Sequence, residues 1–362
     1  MKKKKNHRVL KMILSILAVL LIVVIAYVAY VFIAYSRISD GQVLDVRNGN
    51  ANTLNTEQEY SIMTWNLGFG AYSDDYTFFM DGGTESWAFS PDAVRENIGG
   101  ATARLLTENP DFMLLQEIDY DATRSYHIDE RELIYNAFPN ASSVFAVNYD
   151  SPFLFYPITQ PHGTSRAGLL SLSNAGISSA IRRSLPIEES FMKLVDLDRC
   201  YSIARIPVAN GKELCLCNLH LSAYTSDGTI ATEQLKMLTA ELQKEYEQGN
   251  YVVAGGDFNK DLLGNSGERF GVSGEAYTWA QPIDESLIPE GISLIKAFDE
   301  ENPVPSCRNC DIPYIKGETF VVTVDGFLVS DNIEVLNAEV LDEGFAHTDH
   351  NPVKMIFKLK NE

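Results

Sequence analysis

The chain has 362 residues, with 29 lysines and arginines against 49 aspartates and glutamates, and a formal net charge of −20. Such an acidic chain repels polyanions and attracts divalent cations, which argues against tight, nonspecific binding of duplex DNA through phosphate neutralisation. The simpler alternative is that the acidity only keeps the protein soluble.

The N-terminal segment is a predicted membrane anchor. Residues 1–11 carry six basic side chains, and residues 12–35 carry no charge over a run long enough to cross a bilayer core of about 30 Å. A cleavable signal peptide is the alternative, but its apolar region is usually about 7–15 residues long and ends at a small-x-small site. Because basic residues stay on the cytoplasmic side, we expect residues 1–11 to be a cytoplasmic tail. Everything after residue 35 is then extracellular, at the plasma membrane.

Residues 36–57 are polar and predict a linker, which leaves residues 58–362 as one catalytic domain. Without residues 1–35, 23 basic and 49 acidic residues remain, a net charge of −26. The five cysteines are an odd number, so at least one thiol is unpaired within the molecule. Only Cys307 and Cys310 have the spacing of half a zinc site, a weak indication by itself, and their pairing in a disulfide stays open.

Short apolar runs alternate with amphipathic stretches along the domain. One predicted helix begins at Ser90 and Pro91, an N-cap and first-turn pair, and ends at Asn109; a second spans about residues 232–248. The predicted buried strands are residues 60–65, 111–115, 213–221, 251–256 and 323–330. Strands buried on both faces and separated by amphipathic helices predict a layered α/β architecture.

Polar residues stand where these apolar runs end. A single one would be an ordinary strand terminator, but six segments share the feature. Ligands bind outside strand ends in layered α/β folds, so we expect the groups to converge although 284 positions separate Asn66 from His350. The residues are Asn66, Glu117, His220, Asp257 with Asn259, Asp325, and Asp349 with His350.

The residue types indicate the chemistry. Carboxylate and amide oxygens without thiolates suit a hard divalent cation, Mg²⁺ first, with Mn²⁺ or Ca²⁺ as alternatives. Two histidines with a carboxylate suit proton transfer near neutral pH. Together they predict metal-assisted hydrolysis of a phosphate ester.

Six motifs in chain order carry a family resemblance across Tyr60 to Lys360: TWNLGFG, LLQEID, NLHLS, GGDFN, TVDGFLVS and HTDHNPV. The ordered set resembles the endonuclease/exonuclease/phosphatase superfamily. That superfamily includes secreted deoxyribonucleases, abasic-site endonucleases, bacterial sphingomyelinases and inositol-polyphosphate phosphatases. The resemblance implies a four-layer α/β sandwich, two mixed β-sheets face to face with helices outside, and a site at one edge.

The resemblance also implies roles for the residues of the metal and water sites. Glu117 matches the principal metal ligand, Asn66 a helper to it, and Asp349 a second carboxylate near the metal. His350 matches the general base that activates water, and Asp325 its orienting partner.

On the phosphate side, Asp257 and Asn259 match the pair that holds the nucleophile and the phosphoryl oxygens. His220 matches the histidine on the leaving-group side in the nuclease and sphingomyelinase branches. Whether His220 or Asp257 protonates the leaving oxygen stays open.

Several other residues have two interpretations. Asn148 contacts substrate phosphate or caps a turn, and Arg124 contacts substrate or pairs with Asp119 or Asp121. Arg199 is interpreted as part of a structural ion pair. The remaining histidines of the domain are interpreted as surface or turn residues: His127, His162 and His347.

The predicted substrate is a phosphodiester, either nucleic acid or phospholipid. Residues 68–90 follow Asn66 and offer aromatic and acidic residues but no basic one, which disfavours a polyanion, although aromatic rings can stack on bases. Residues 151–157, SPFLFYP, are either an exposed apolar loop at a membrane interface or a buried strand. A phosphomonoesterase acting on inositol phosphates or another small ester is the alternative, as is a catalytically silent tethered binding protein. No obligate protein partner is inferred.

Overall fold

The structure, a computed structural model, describes residues 2–188, 197–223, 229–272 and 279–361. A long N-terminal helix, α1 (Lys2–Ala34), precedes two seven-stranded sheets. Within the described ranges, the part of α1 from His7 to Ala34 is the one helix long and apolar enough to cross a membrane.

The first sheet is mixed, with β9 and β10 parallel and its other described pairings antiparallel. Its strands in spatial order are β1 (Gln42–Val43), β7 (Ser179–Ser184), β8 (Cys200–Pro207), β9 (Glu213–His220), β10 (Tyr251–Asp257), β14 (Asp325–Ser330) and β11 (Ile292–Ile295).

The second sheet is also mixed, with β3 and β4 parallel. Its order is β15 (Ile333–Val340), β16 (Val353–Leu359), β3 (Glu59–Asn66), β4 (Phe112–Asp119), β6 (Gly163–Ser173), β5 (Ser142–Leu154) and β2 (Val46–Arg47). A separate two-stranded ribbon joins β12 (Cys307–Arg308) to β13 (Val321–Val322).

Four layers result because helices cover the outer faces of both sheets. The domain helices are α2 (Pro91–Glu108), α3 (Glu130–Ala137), α4 (Thr229–Glu247) and α5 (Ser266–Arg269). Leu114 and Leu216 lie in the core between the sheets. Leu105 of α2 packs outside the second sheet and Leu238 of α4 outside the first. This confirms the predicted four-layer α/β sandwich.

The ends of α2 follow the sequence signals. The Ser90 hydroxyl accepts a hydrogen bond from the Ala93 amide at 3.0 Å, and Pro91 occupies the first turn. Asn109 ends the helix in the left-handed conformation, with φ 44°. Asparagine adopts that backbone conformation more readily than most residues do.

The polar segment 36–57 lies along the domain. It contributes β1 to an edge of the first sheet and β2 to an edge of the second, and Leu54 forms a bridge with Val208. Arg183 pairs with Asp40 at 3.1 Å. The predicted linker therefore holds the domain close to the end of α1.

A buried amide pair joins the two sheets. Gln116 of β4 donates from Nε2 to Oδ1 of Asn218 in β9 at 2.8 Å, and both side chains are fully buried. Asn218 Nδ2 donates in turn to the carbonyl oxygens of Leu115 and Leu170, each at 3.2 Å. Because unpaired amides are costly in a core, these bonds fix how the sheets align.

All five cysteines lie in the described ranges, where they are buried and free, so Cys307 and Cys310 do not form a disulfide. Among the described residues, the one group that could hold a metal contains a single cysteine, Cys307.

We predict opposite effects for one substitution at two glycines. A Cβ on Gly256, where φ is +153°, would lie 2.0 Å from the carbonyl oxygen of Leu219, whereas no atom of the described residues lies within 4 Å of a Cβ on Gly99 inside α2. Gly256→Ala should therefore destabilise the protein by about 1–3 kcal/mol. Gly99→Ala should stabilise it by about 0.5–1 kcal/mol. Thermal melts in detergent measure both changes, and equal shifts in one direction would contradict the prediction.

Candidate active site

The predicted strand-end residues meet at one edge of the sandwich. In the first sheet, Asp257 stands opposite His220 on one side and opposite Asp325 on the other. In the second sheet, Asn66 stands opposite Gln116, the residue before Glu117. The parallel pairs β3–β4 and β9–β10 run towards this same edge, which is why their terminal polar residues converge.

Asp257 lies at the centre of the cluster, with 3% of its side chain exposed. Its Oδ2 is 3.2 Å from Asn66 Nδ2, 3.4 Å from His220 Nε2 and 3.8 Å from His350 Nε2. Its Oδ1 accepts the backbone amide of Asn259 at 2.8 Å. Burial raises the pKa of Asp257 to about 7; Asp325 adds to this, and His350 opposes it.

His350 and Asp325 form a buried pair. His350 Nδ1 lies 2.8 Å from Asp325 Oδ2, which leaves Nε2 directed towards Asp257. The indole of Trp65 donates to the carbonyl oxygen of His350 at 2.8 Å and holds its backbone. Burial disfavours the charged ring, but the Asp325 carboxylate outweighs it and raises the pKa of His350 well above its usual value.

His220 has a different environment. Its Nε2 lies 4.0 Å from Glu117 Oε1 and 3.4 Å from Asp257, while Nδ1 contacts no partner among the described residues. Burial lowers the pKa of His220 well below its usual value. A ring without a carboxylate behind it favours the neutral form.

Glu117 and Asn259 both have unusual backbone conformations, with φ of 54° and 49°. Glu117 lies in a bulge where the β4–β6 register shifts between Leu115 and Ile118. Residues other than glycine seldom have a left-handed backbone conformation, and those that do are concentrated at functional sites, because the surrounding structure must hold them in it. The bulge directs the Glu117 carboxylate into the cleft, where 24% of its side chain is exposed.

The oxygen donors fit a hard divalent cation. Asn66 Nδ2 donates to Glu117 Oε1 at 3.2 Å, while its Oδ1 accepts the amide of Gly68. Asn66 thus orients Glu117. Burial raises the pKa of Glu117; Arg124 opposes this and Asp349 adds to it. A divalent cation stabilises a partly buried cluster of carboxylates, and Glu117 and Asp349 supply oxygen ligands only.

A second possible ligand set includes sulfur. Ligand atoms of Cys307, Asp349 and His350 lie within 4.8 Å of one another. Burial raises the pKa of the Cys307 thiol to about 12. Because the thiolate is the form that binds metal, this set fits a cation less well than the oxygen donors do.

The cleft above these residues has a volume of about 620 Å³. Arg124 lines it, but its guanidinium also binds Asp119 twice, at 3.0 and 2.8 Å, and lies 3.8 Å from the centre of the Phe69 ring. The structural alternative for Arg124, pairing with Asp119, is therefore present. Asn148 is buried in β5, and its neighbour Tyr149 lines the cleft instead.

Two residues of the cleft differ from the sequence interpretation. Arg199 also lines it, and its Nε and Nη1 contact no acceptor in the described part of the chain, unlike the predicted ion pair. His162, interpreted as a surface or turn residue, is 6% exposed and lines the cleft as well. Arg199 precedes β8, whose start lies beside the end of β9 because the strands are antiparallel. Only knowledge of that pairing would have revealed Arg199.

Comparisons with known proteins identify the fold. The sequence model described as "Endonuclease/Exonuclease/phosphatase family" matches residues 63–350. A solved endonuclease/exonuclease/phosphatase from Beutenbergia cavernae superposes with a TM-score of 0.58 at 15% identity, covering 84% of this chain and 72% of that one. ANGEL2, described as a 2′,3′-cyclic phosphatase, superposes with a TM-score of 0.55 at 15% identity, covering 88% and 99%. No curated protein sequence matches this chain.

We predict that His162 makes the protein sensitive to acid. Burial lowers the pKa of His162 from 6.5 to about 3. Between these two pH values the His162 ring is protonated in the unfolded chain and neutral in the folded protein. Its contribution to stability is complete above pH 6.5 and is lost as the pH falls, by about 2 kcal/mol at pH 5. Melts at pH 7.5 and pH 5 should show a smaller loss in both His162→Gln and His162→Phe than in the unsubstituted protein. An unchanged loss in both variants would contradict this.

Proposed function

The chain belongs to the endonuclease/exonuclease/phosphatase family, and from this premise we propose that it is a metal-dependent hydrolase of phosphodiester bonds. In the proposal, α1 anchors it in the plasma membrane with residues 1–11 in the cytoplasm and the catalytic domain outside. The observation that supports it most is the meeting of the His350–Asp325 pair, Glu117 and Asp257 in one cleft. Nucleic acid or phospholipid is the substrate, and a phosphomonoester is the second candidate.

His350 is the proposed general base. Its Nε2 points into the cleft, where it can take a proton from water, and Asp325 fixes the tautomer by holding Nδ1 at 2.8 Å. Asp325 also stabilises the imidazolium that forms. Both side chains are buried, so the pair holds its orientation before substrate arrives.

Glu117 and Asp349 are the proposed cation ligands, with Asn66 orienting Glu117 through its 3.2 Å hydrogen bond. When bound, the divalent cation would supply charge stabilisation for the phosphoryl oxygens. Asn259 completes the phosphate side: its amide nitrogen donates to Asp257 and its Nδ2 to the Leu221 carbonyl oxygen, each at 2.8 Å. These contacts fix Asp257 and Asn259 relative to each other.

Arginines supply the positive charge that residues 68–90 lack. Arg124, Arg199 and Arg308 all line the cleft. They come from three separate segments, which is why no basic cluster is visible in the sequence. A guanidinium group suits the recognition of a phosphate in a largely buried site.

Asp257 is the proposed acid that protonates the leaving oxygen. His350 has a carboxylate behind it, whereas no described partner contacts His220 Nδ1 and so none supports a positively charged ring there. Asp257 lies between the two rings, within 3.8 Å of both Nε2 atoms. His220 is then a neutral donor that orients Asp257.

The first prediction of the proposal concerns metal-dependent turnover. Full-length protein in detergent should hydrolyse a simple phosphodiester with Mg²⁺ and not with chelator. Glu117→Gln and His350→Ala should each lower kcat by about 10²–10⁴-fold, because they remove a cation ligand and the general base. Glu339→Gln, an exposed control on β15, should match the unsubstituted protein.

Equal rates with Mg²⁺ and with chelator would contradict the proposal. Full activity in both site variants would refute the residue assignment. A folded protein that hydrolyses no phosphate ester would favour the tethered binding protein instead.

The second prediction separates Asp257 from His220. Asp257→Asn should slow hydrolysis of a diester with an alkyl leaving group by about 100-fold or more, because that group needs a proton to depart. Its rate on a 4-nitrophenyl diester should fall much less. His220→Gln should slow both substrates by similar factors. The reverse pattern would make His220 the acid.

A further inference from the structure

An apolar surface lies beside the mouth of the cleft. We call it the apolar rim; it consists of Phe79, Met80, Phe155, Tyr156 and Ile158. Four of these are exposed: Met80 by 59%, Phe155 by 55%, Tyr156 by 68% and Ile158 by 77%. Phe79 joins the two segments, with its ring centre 5.7 Å from that of Tyr156. Clusters of exposed large apolar side chains mark interaction sites.

The rim is continuous with the cleft. Met80 lines both, and Phe79 lies against His162, another cleft residue, with ring centres 6.1 Å apart. The loop after β5 is also held in place by Trp87, whose indole donates to the Pro161 carbonyl oxygen at 2.8 Å. A ligand entering the cleft from this side therefore passes the apolar rim.

Helix α1 contacts the same loop. The Tyr27 hydroxyl donates to the Phe153 carbonyl oxygen at 3.1 Å and accepts from the Phe155 amide at 3.0 Å. The Tyr30 hydroxyl accepts from the Phe153 amide at 3.1 Å. These hydrogen bonds hold the backbone of Phe153 and Phe155 against α1.

The position of the tyrosines along α1 sets the depth of the rim. Tyr27 follows His7 by 20 residues, or about 30 Å of helix, which is about the thickness of the hydrocarbon core. With Arg8 and Lys11 at the cytoplasmic boundary, Tyr27 and Tyr30 reach the outer boundary, where tyrosine is enriched. The exposed rim side chains then lie at the same level.

A second contact, just after α1, restricts rotation of the domain relative to the helix. Just after α1, Arg37 lies 3.7 Å from Asp198 and donates to the Leu185 carbonyl oxygen at 2.6 Å. Asp198 directly precedes Arg199 of the cleft wall. The helix and the residues just after it thus contact the domain at two places, so the orientation of the cleft is tied to that of the helix.

From these contacts we propose that the apolar rim sits in the outer interface of the bilayer and presents the cleft to phospholipid headgroups, whose phosphodiester is the substrate. The substrate part rests on the proposed function. Residues 151–161 contain no charged side chain. The rim therefore suits a zwitterionic lipid surface and does not depend on attraction to anionic lipids.

The first test measures the depth of the rim without using activity. Ile158→Cys, and Leu336→Cys as the control, are labelled with an environment-sensitive fluorophore in full-length protein reconstituted into phosphatidylcholine vesicles. Leu336 is also exposed, at 42%, but lies on β15 at the opposite edge of the second sheet from β5. The five native cysteines are buried, so labelling is selective. Nitroxide lipids should quench the label at 158 and not at 336. Absence of quenching at 158 would overturn the membrane contact.

The second test concerns the substrate. In Phe155→Ser/Tyr156→Ser/Ile158→Ser, the ratio of phosphatidylcholine hydrolysis to hydrolysis of soluble bis(4-nitrophenyl) phosphate should fall at least tenfold. Leu336→Ser should keep the ratio of the unsubstituted protein. Cleavage of the soluble diester or of DNA, without cleavage of phosphatidylcholine, would overturn the lipid substrate. Absence of hydrolysis on every diester would instead refute the proposed function, while the quenching result would still decide the position of the rim.

Discussion

The site depends on how the two sheets are joined, and the Gln116–Asn218 hydrogen bond fixes that arrangement. Gln116 directly precedes Glu117, and Asn218 lies two residues before His220. The bond therefore brings the end of β4 against the end of β9 and sets the 4.0 Å approach of Glu117 to His220. A core of leucines and valines would join the sheets as firmly but would permit small slips. A satisfied amide pair specifies one alignment, because any slip leaves buried polar groups unpaired.

That alignment concentrates carboxylates in a largely buried cleft, and this burial changes their pKa values. Burial raises the pKa of both Glu117 and Asp257, so the isolated cluster resists carrying its full negative charge. The two histidines have different environments: the Asp325 carboxylate stabilises the His350 ring when that ring takes up a proton, whereas burial disfavours a proton on His220. A cation among the oxygen donors would offset the same repulsion. In the proposed function, that cation and the cleft arginines together balance the charge of an anionic substrate.

Much of the fold and of the candidate site could be predicted from the sequence. The features that could not be predicted all depend on pairing between segments that are far apart in the chain. Apolar runs that end in Asn66 or Asp257 predicted convergence at one edge, because ligands bind outside strand ends in layered α/β folds, and the parallel pairs β3–β4 and β9–β10 bring those ends together. Arg199 and His162 reach the cleft through antiparallel pairing and a long loop, and neither leaves a local signal. Residues 151–157 are part strand and part exposed loop, because Ser151–Leu154 belongs to β5 and the exposed part begins at Phe155. Their contact with a membrane stays a prediction. The polar segment 36–57 supplies edge strands, which pair through backbone groups that composition does not reveal.

Direct binding of Mn²⁺ to full-length protein, followed by the loss of the free-ion electron paramagnetic resonance signal, tests the central claim that the joined sheet ends form an oxygen-donor cation site. We expect saturable binding that Glu117→Gln weakens at least tenfold and that Cys307→Ser leaves unchanged. Binding that survives Glu117→Gln and is lost in Cys307→Ser would place the cation on the sulfur-containing set and contradict the account.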